Sequence, residues 1–266
     1  MLSLEDIYQE IGKNIFISPL KIDNFRDNSI DLTASEFAWT YEGTNLCDKE
    51  KMIITVPKHK TACILTNESI YVSGKIGGTY HSRVSLTERG FGHVGTMLDP
   101  KYCGQSLIML HNTTENDLEI KVGDRIVSLV FYYLKTPIRE AIRSSPPSHV
   151  DKVGRLDSEG NYRAWKENNK WVDNPQLLQK HYKESDAKAF EEKRNSRAQT
   201  GKVKRTLTAI RKYALKYFII LILFAISLLA IHKFFTPTTG WSSVIVPMVT
   251  CFVGFIAGDL SKVITK

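Results

Sequence analysis

The sequence predicts a mostly β domain, followed by a charged helical stalk and two transmembrane helices. Three observations carry this reading. Eight short β-prone runs recur at roughly ten-residue spacing between residues 14 and 135, the composition turns charged and helix-favouring from Pro175, and two long apolar stretches lie near the C-terminus.

The opening segment, MLSLEDIYQEIGKN, reads as a short amphipathic helix. Ser3 and Asp6 fit a capping box, and Leu4, Ile7 and Ile11 recur at helical spacing. The segment is acidic early and lacks an apolar run, so no signal peptide is expected in it. The β-prone runs come next: NIFISPL, SIDLTAS, KMIITVP, TACILTN, SIYVSGKI, SLIMLHN, LEIKVGD and RIVSLVFYYL. Turn residues separate them, an antiparallel barrel or sandwich is the expected packing, and no repeat period is visible. Residues 140–174 read as a polar, irregular tail with Pro146-Pro147, Gly154 and Gly160. From Pro175 the chain, PQLLQKHYKESDAKAFEEKRNSRAQ, reads as a partly helical stalk reaching residue 212, interrupted at Gly201.

Residues 213–231 read YALKYFIILILFAISLLAI with one charge, Lys216, and residues 241–258 read WSSVIVPMVTCFVGFIAG with none. Each is close to the ~20 residues a helix needs to cross a bilayer. A soluble domain rarely buries a helix that is apolar on every face. The short connection HKFFTPTTG makes the two a membrane hairpin. Lys202, Lys204, Arg205, Arg211 and Lys212 crowd its N-terminal flank, Lys262 and Lys266 lie beyond it, and the loop holds only Lys233. The positive-inside bias then places both termini in the cytoplasm, with the chain in the cell membrane. Gly254 and Gly258 form a G-x-x-x-G step that permits close helix packing.

The net charge of +8 is unevenly placed: residues 193–266 carry a net +11 and residues 1–192 a net −3. The basicity therefore belongs to the membrane flank, where it favours anionic lipid headgroups, and no nucleic-acid partner is expected. The four cysteines, Cys47, Cys63, Cys103 and Cys251, form no C-x-x-C pair, and the H-x-E…P-C-x-x-C signature of zinc-dependent base deaminases is missing, so neither disulfides nor zinc are expected.

Four segments in order carry a resemblance: SLEDIYQEIGKNIFISPLKIDNFRDNSIDL, HSRVSLTERGFG, TMLDPKYCG and KVGDRIVSLVF. Together they are similar to the opening helix and "I-x-P" strand, the R-S-S-L segment, the I-D-P-x-[WY]-x-G turn and the P-G-x-R-I-x-Q-L-x-F strand of the dCTP deaminase and dUTPase superfamily, more closely its deaminase branch. The resemblance covers about residues 1–139. It implies a dUTPase-like antiparallel β-fold assembled as a trimer, with deoxynucleotide sites between subunits.

The chemistry that the resemblance implies can be traced residue by residue. In the deaminase branch a glutamate after the D-P turn is the general acid/base, and Met109 stands there; a thioether cannot carry a proton. Met109 is expected in the packed core. Val84 replaces the first serine of R-S-S-L-A-R and Glu88 its arginine, and a carboxylate facing a triphosphate would repel it. In the pyrophosphatase branch the aspartate of the turn activates water, and Asp99, Tyr102 and Gly104 match that pattern. The resemblance thus implies Arg83 and Ser85 near phosphates, Tyr102 against the sugar, Arg125 as a further contact, and Asp99 and Asp31 near water or Mg²⁺, the metal arriving with the nucleotide triphosphate. Ser128 replaces the phosphate-contacting Gln, the hairpin between Arg83 and Asp99 is short, and the glycine-rich closing arm has no counterpart. His93 and His111 are possible polar contacts.

Three functions fit these residues. The leading one is a catalytically degenerate nucleotide sensor controlling a two-span membrane effector, a layout similar to prokaryotic antiviral effectors. The second is a membrane-tethered dUTP or dNTP pyrophosphatase, or a dCTP deaminase, with Asp99 as the essential base. The third is a trimerisation module that binds no nucleotide.

Overall fold

A computed structural model describes residues 1–139 and 146–199, with six further positions singly: Arg211, Phe218, Ile222, Thr250, Cys251 and Gly254. Apart from the single positions Phe218, Ile222, Thr250, Cys251 and Gly254, the expected spans over 213–231 and 241–258, the interruption at Gly201 and the Gly258 contact lie outside the described residues. Among the described residues no helix is long and apolar enough to cross a membrane. The chain divides into two compact units, Met1–Arg194 and Asn195–Lys266, and every described strand belongs to the first.

Helix α1 (Leu4–Glu10) opens it. The expected capping box is formed: Ser3 accepts the Asp6 amide, and Asp6 accepts the Ser3 amide at 2.9 Å. The strands are β1 (Ile15–Ser18), β2 (Ile30–Thr40), β3 (Cys47–Asp48), β4 (Ile53–Val56), β5 (Thr61–Val72), β6 (Ile76–Ser82), β7 (Phe91–Gly92), β8 (Met97–Leu98), β9 (Cys103–Asn112), β10 (Leu118–Lys121) and β11 (Arg125–Tyr133). A single helical turn, α2 (Val84–Thr87), lies between β6 and β7. The main sheet has the order β7-β9-β5-β2-β11-β6-β8, with β1 added against β5, and β10-β4-β3 form a second sheet; every pairing between these strands is antiparallel.

The main sheet has to curl. A flat sheet of seven strands would hold its edges about 29 Å apart. The two edge strands are β7 and β8, which only residues 93–96 separate, and that link spans at most roughly 18 Å. The mostly β, curled antiparallel architecture therefore agrees with the expectation. TACILTN and SIYVSGKI, read as two runs, are one strand, β5, kinked between Leu65 and Ser69, where its register with β9 shifts. There Glu68, buried, accepts the Thr33 amide and hydroxyl at 2.8 Å each, and Asn67 donates to the Ala34 carbonyl at 2.7 Å. Side chains thus satisfy the backbone groups that the kink frees. Burial pushes the Glu68 carboxyl up, against the pull of the Thr33 bonds. Strand β6 escapes the pattern because Gly77-Gly78 weakens the β signal. The structure needs glycine at 78, since a Cβ there would sit 2.8 Å from the Val130 carbonyl oxygen of β11.

Residues 147–173 correct the expectation of an irregular tail. They form a 3₁₀ turn (Pro147–His149), α3 (Val150–Leu156), α4 (Asn161–Asn168) and a second 3₁₀ turn (Lys170–Asp173). Val153, Leu156, Tyr162 and Trp165 cover an apolar sheet face made by Phe37 and Trp39 of β2, Cys63 and Leu65 of β5, and Leu107 of β9. The Phe37 ring meets Tyr162 edge-on at 5.1 Å and Trp165 at 5.3 Å. The two helices are too short for the apolar spacing of Val150, Val153 and Leu156, or of Tyr162 and Trp165, to form a convincing stripe, so the pattern makes sense only beside the sheet it covers.

The first part of the expected stalk is likewise body. Helix α5 (Pro175–Ser185) is capped by Asn174, and residues 187–199 are helical. Leu178, Tyr182 and Phe190 are buried, Tyr182 edge-on to Phe16 at 5.6 Å and Phe190 stacked on Tyr8 at 5.1 Å.

Candidate functional site

Two concave regions collect most of the residues singled out in the sequence, and they share no lining residue. The first, about 750 Å³, lies between the Leu20–Asn24 loop, α2 and the Gly123-Asp124 turn. Four cations line it, Lys21, Arg83, Arg89 and Arg125, against the carboxylates Asp23 and Asp124. Ser85 lines it as well. Arg125 is braced by the loop, its Nε donating to Asn24 Oδ1 at 2.9 Å and a terminal nitrogen to the Asp23 carbonyl at 3.0 Å, which leaves it further N–H groups. Glu88 is not among the lining residues and Arg89 is, so the charge change at position 88 does not put a carboxylate into the cleft. Val84 is exposed outside it.

Arg83 and Asp31 are brought together, but onto each other. Asp31 is fully buried on β2, paired with Arg83, with Arg26 Nε at 2.8 Å, and with Ser128 of β11 donating at 2.6 Å. Both carboxylate oxygens are thus engaged within the chain. Asp31 is turned to these partners and does not line the cleft, so its expected place near water or Mg²⁺ would be reached only through Arg83; among the described residues no cluster of three His, Cys, Asp or Glu could hold a metal. Arg83 Nε is buried and lacks a hydrogen-bond partner among the described residues.

Burial alone would raise the Asp31 carboxyl, but Ser128, Arg26 and Arg83 together hold it below the usual value. A depressed folded pKa stabilises above the unfolded value of about 3.9, and the contribution is lost as pH falls through the folded pKa. Glu68, raised by burial, has the opposite slope at higher pH. Urea midpoints measured against pH are therefore expected to fall below about pH 4 more steeply in the parent than in Asp31→Asn, the difference between the two isolating Asp31.

The second region, about 900 Å³, holds Asp99, Met109, His93, His111, His149 and Lys152. The D-P turn is built as expected: the Tyr102 amide donates to the Asp99 carbonyl at 3.1 Å, and Lys101 takes a positive φ of 67°. Along β9 the side chains alternate, Ile108 and Leu110 into the core, Leu107, Met109 and His111 towards the pocket. Met109 is 41% exposed, which corrects its expected place in the core. Val94 and Met97 add an exposed apolar rim. His93 and His149 each keep a buried Nδ1 without a partner among the described residues, and His111 Nδ1 lies 3.2 Å from the Thr61 hydroxyl. Burial, aided by His81, holds the His93 imidazole below its ordinary value; burial and Lys152 do so for His149, against Asp151 and Asp99. Both favour the neutral ring near pH 7.

Tyr102 lines neither region. It is 3% exposed, its hydroxyl donates to the Gln105 carbonyl at 2.6 Å, and burial pushes the phenol up. The ring is closed to a sugar, which corrects that expectation. It is packed beside His149 of the helical appendage, ring centroids 5.6 Å apart. The residues missed in the sequence are Lys21 and Arg89 in the basic cleft, and His149 and Lys152 in the pocket. The first two adjoin the quoted motifs and could have been found there; the last two come from a distant segment that carries no signal of its own.

Residues 1–134 match the family described as dCTP deaminase-like. The chain is 28% identical over 130 residues to a dCTP deaminase of Pyrococcus horikoshii, covering 49% of this chain and 83% of that one. It is 33% identical over 85 residues to a deoxyuridine 5'-triphosphate nucleotidohydrolase of Paramecium bursaria Chlorella virus 1, covering 32% of this chain and 60% of that one. Among solved structures it is similar to the 2'-deoxycytidine 5'-triphosphate deaminase of Agrobacterium tumefaciens, at 12% identity and a TM-score of 0.41, over 49% of this chain and 46% of that one.

Proposed function

The chain belongs to the dCTP deaminase-like family through residues 1–134, and on that premise we propose that it binds a deoxynucleotide triphosphate without turning it over. The triphosphate, with the Mg²⁺ it brings, occupies the basic cleft, held by Arg83, Ser85 and Arg125 together with Lys21 and Arg89. The nucleoside end enters the Asp99 pocket of a second copy, since no one chain places the two regions on a shared wall. The assembly is a homo-oligomer, a trimer by family resemblance.

One observation carries the degenerate reading: Met109 opens into the same pocket as Asp99, on the strand and at the position where the family resemblance calls for a carboxyl group, while the cation-lined cleft is kept. Binding without proton transfer is what such a site supports. The stretches 213–231 and 241–258 would then anchor the domain as a two-span hairpin in the cell membrane, in contact with lipid, with both termini cytoplasmic. The ligand controls this membrane part, in the manner of an antiviral effector.

The second reading, a triphosphate hydrolase, is favoured by Asp99 itself, which lines the pocket beside two histidines held neutral by burial. Any metal there would come with the phosphates.

Equilibrium binding of dCTP, dUTP and the other common nucleotides to the full chain tests the proposal, alongside membrane depolarisation in cells expressing it. Saturable binding, with depolarisation that disappears when residues 213–266 are deleted, is the expected outcome. Failure of every nucleotide to bind would leave only a trimerisation module. Depolarisation that survives the deletion would remove the membrane part of the reading.

A further inference from the structure

The loop that lines the basic cleft is held from behind by the helix that leads out of the domain. Ser18 ends β1, and Leu20–Asn24 then form one wall of the cleft. At the end of α5, Asp186 accepts the Leu20 amide on Oδ1 at 3.0 Å and the Ser18 hydroxyl on Oδ2 at 2.6 Å. Ser18 has one proton and gives it to the carboxylate. The His181 Nδ1, 2.9 Å from the same hydroxyl oxygen, must therefore be the protonated nitrogen of its ring and donate. That ring is fixed by stacking on Trp171 at 3.9 Å.

Four residues after Asp186, one helical turn on, Phe190 is 1% exposed and stacks on Phe25 at 5.9 Å as well as on Tyr8. Phe25 is the residue at which the loop ends. The loop is thus gripped at its entry by Asp186 and at its exit by Phe190. These grips lie at the end of α5 and in the helical stretch that begins at residue 187. Neither residue lies within the part of the chain that matches the family.

We infer that Asp186 and Phe190 are positioning residues that couple occupancy of the basic cleft to the helix leaving the domain. The loop supplies Lys21 to the cleft, and through Asn24 and the Asp23 carbonyl it aims Arg125. An anion that draws these cations inward favours one setting of the loop, and the loop cannot change its setting without the helix. Such a ligand biases the helix only by the difference in its affinity for the two settings. Linkage makes the effect reciprocal: loosening the helix weakens binding by the factor by which binding orders the helix, typically 5- to 150-fold. The inference rests on the reading of the cleft as a triphosphate site, and it adds the route by which binding there would reach the rest of the chain.

Hydrogen exchange on the full chain, with and without inorganic tripolyphosphate and Mg²⁺, tests it, with dCTP as a second probe. The expected result is slowed exchange at Leu20–Phe25 and also at 187–194. In Asp186→Asn the protection at 187–194 is lost and affinity falls about fivefold or more, a ligand-dependent change that a merely structural role would not produce. Protection confined to the cleft loop, in the presence of binding, overturns the coupling and leaves the triphosphate site standing. If neither probe binds, the triphosphate site itself fails. The tie is then read in the unliganded chain, where Asp186→Asn must speed exchange at the Leu20 amide and at 187–194 together; a change at Leu20 alone contradicts it.

Discussion

Replacing Arg83 by methionine is expected to abolish tight triphosphate binding and to destabilise the domain at the same time. The guanidinium lies between the cleft and Asp31, whose side chain is fully buried. Removing one partner of a buried ion pair costs about 3–5 kcal/mol, because the charge left behind has neither water nor its partner. The lower end applies here, since Arg26 and Ser128 still reach the carboxylate. Loss of a charge-assisted bond to phosphate adds about 1.5–3 kcal/mol in binding, a tenfold to hundredfold loss of affinity. Arg83→Lys separates the two effects. A lysine keeps the charge near Asp31 but cannot engage both the carboxylate and a phosphate with a planar fork, so stability should recover more than affinity. Urea denaturation and titration calorimetry on the three proteins check this. Parental affinity in Arg83→Met would remove Arg83 from the site.

The family-matched segment alone is expected not to fold into a soluble domain. Cutting the chain after residue 139 uncovers Phe37, Trp39, Leu65 and Leu107 on one face, and removes Tyr182 and Phe190 from their packing against Phe16, Tyr8 and Phe25. Burying one such side chain is worth roughly 1.5–3 kcal/mol. Six of them together match the entire stability of a typical domain, about 5–15 kcal/mol. The segment 1–199 should melt cooperatively and elute as a defined species, and 1–139 should aggregate. A cut after residue 174, which keeps the aromatic cover but loses α5 and Phe190, should fall between them. Equal melting of 1–139 and 1–199 would show that the appendage is dispensable.

The local chemistry is legible from sequence, and the long-range chemistry is not. The capping box of Ser3 and Asp6, the β-prone runs and the D-P turn at Asp99 depend on neighbours within a few residues, so spacing alone identifies them. Met109 shows the limit. The alternation of β9 puts Leu107, Met109 and His111 on one face, yet which face meets the core depends on strands remote in the chain. Tyr102 departs in the opposite sense: its motif suggests an exposed ring, and the 146–149 segment, which resembles nothing in the motif, lies over it. A Cβ at Gly104 would collide with the Ser148 backbone, so the glycine of that motif here makes room for the appendage. The ion pair of Asp31 with Arg83 joins two residues that the motifs assign to a ligand. Only the fold shows that they satisfy each other.

Product analysis of the full chain incubated with dCTP, dUTP and Mg²⁺, with Asp99→Asn run in parallel, separates a nucleotide-binding domain from a working enzyme. Binding without any conversion of either nucleotide, and the same behaviour in Asp99→Asn, is the result that the proposed degenerate site predicts, with Met109 at the position where the family resemblance calls for the acid/base. Formation of dUTP from dCTP, or of a monophosphate from either nucleotide, abolished by Asp99→Asn, would contradict it and make the domain a working enzyme.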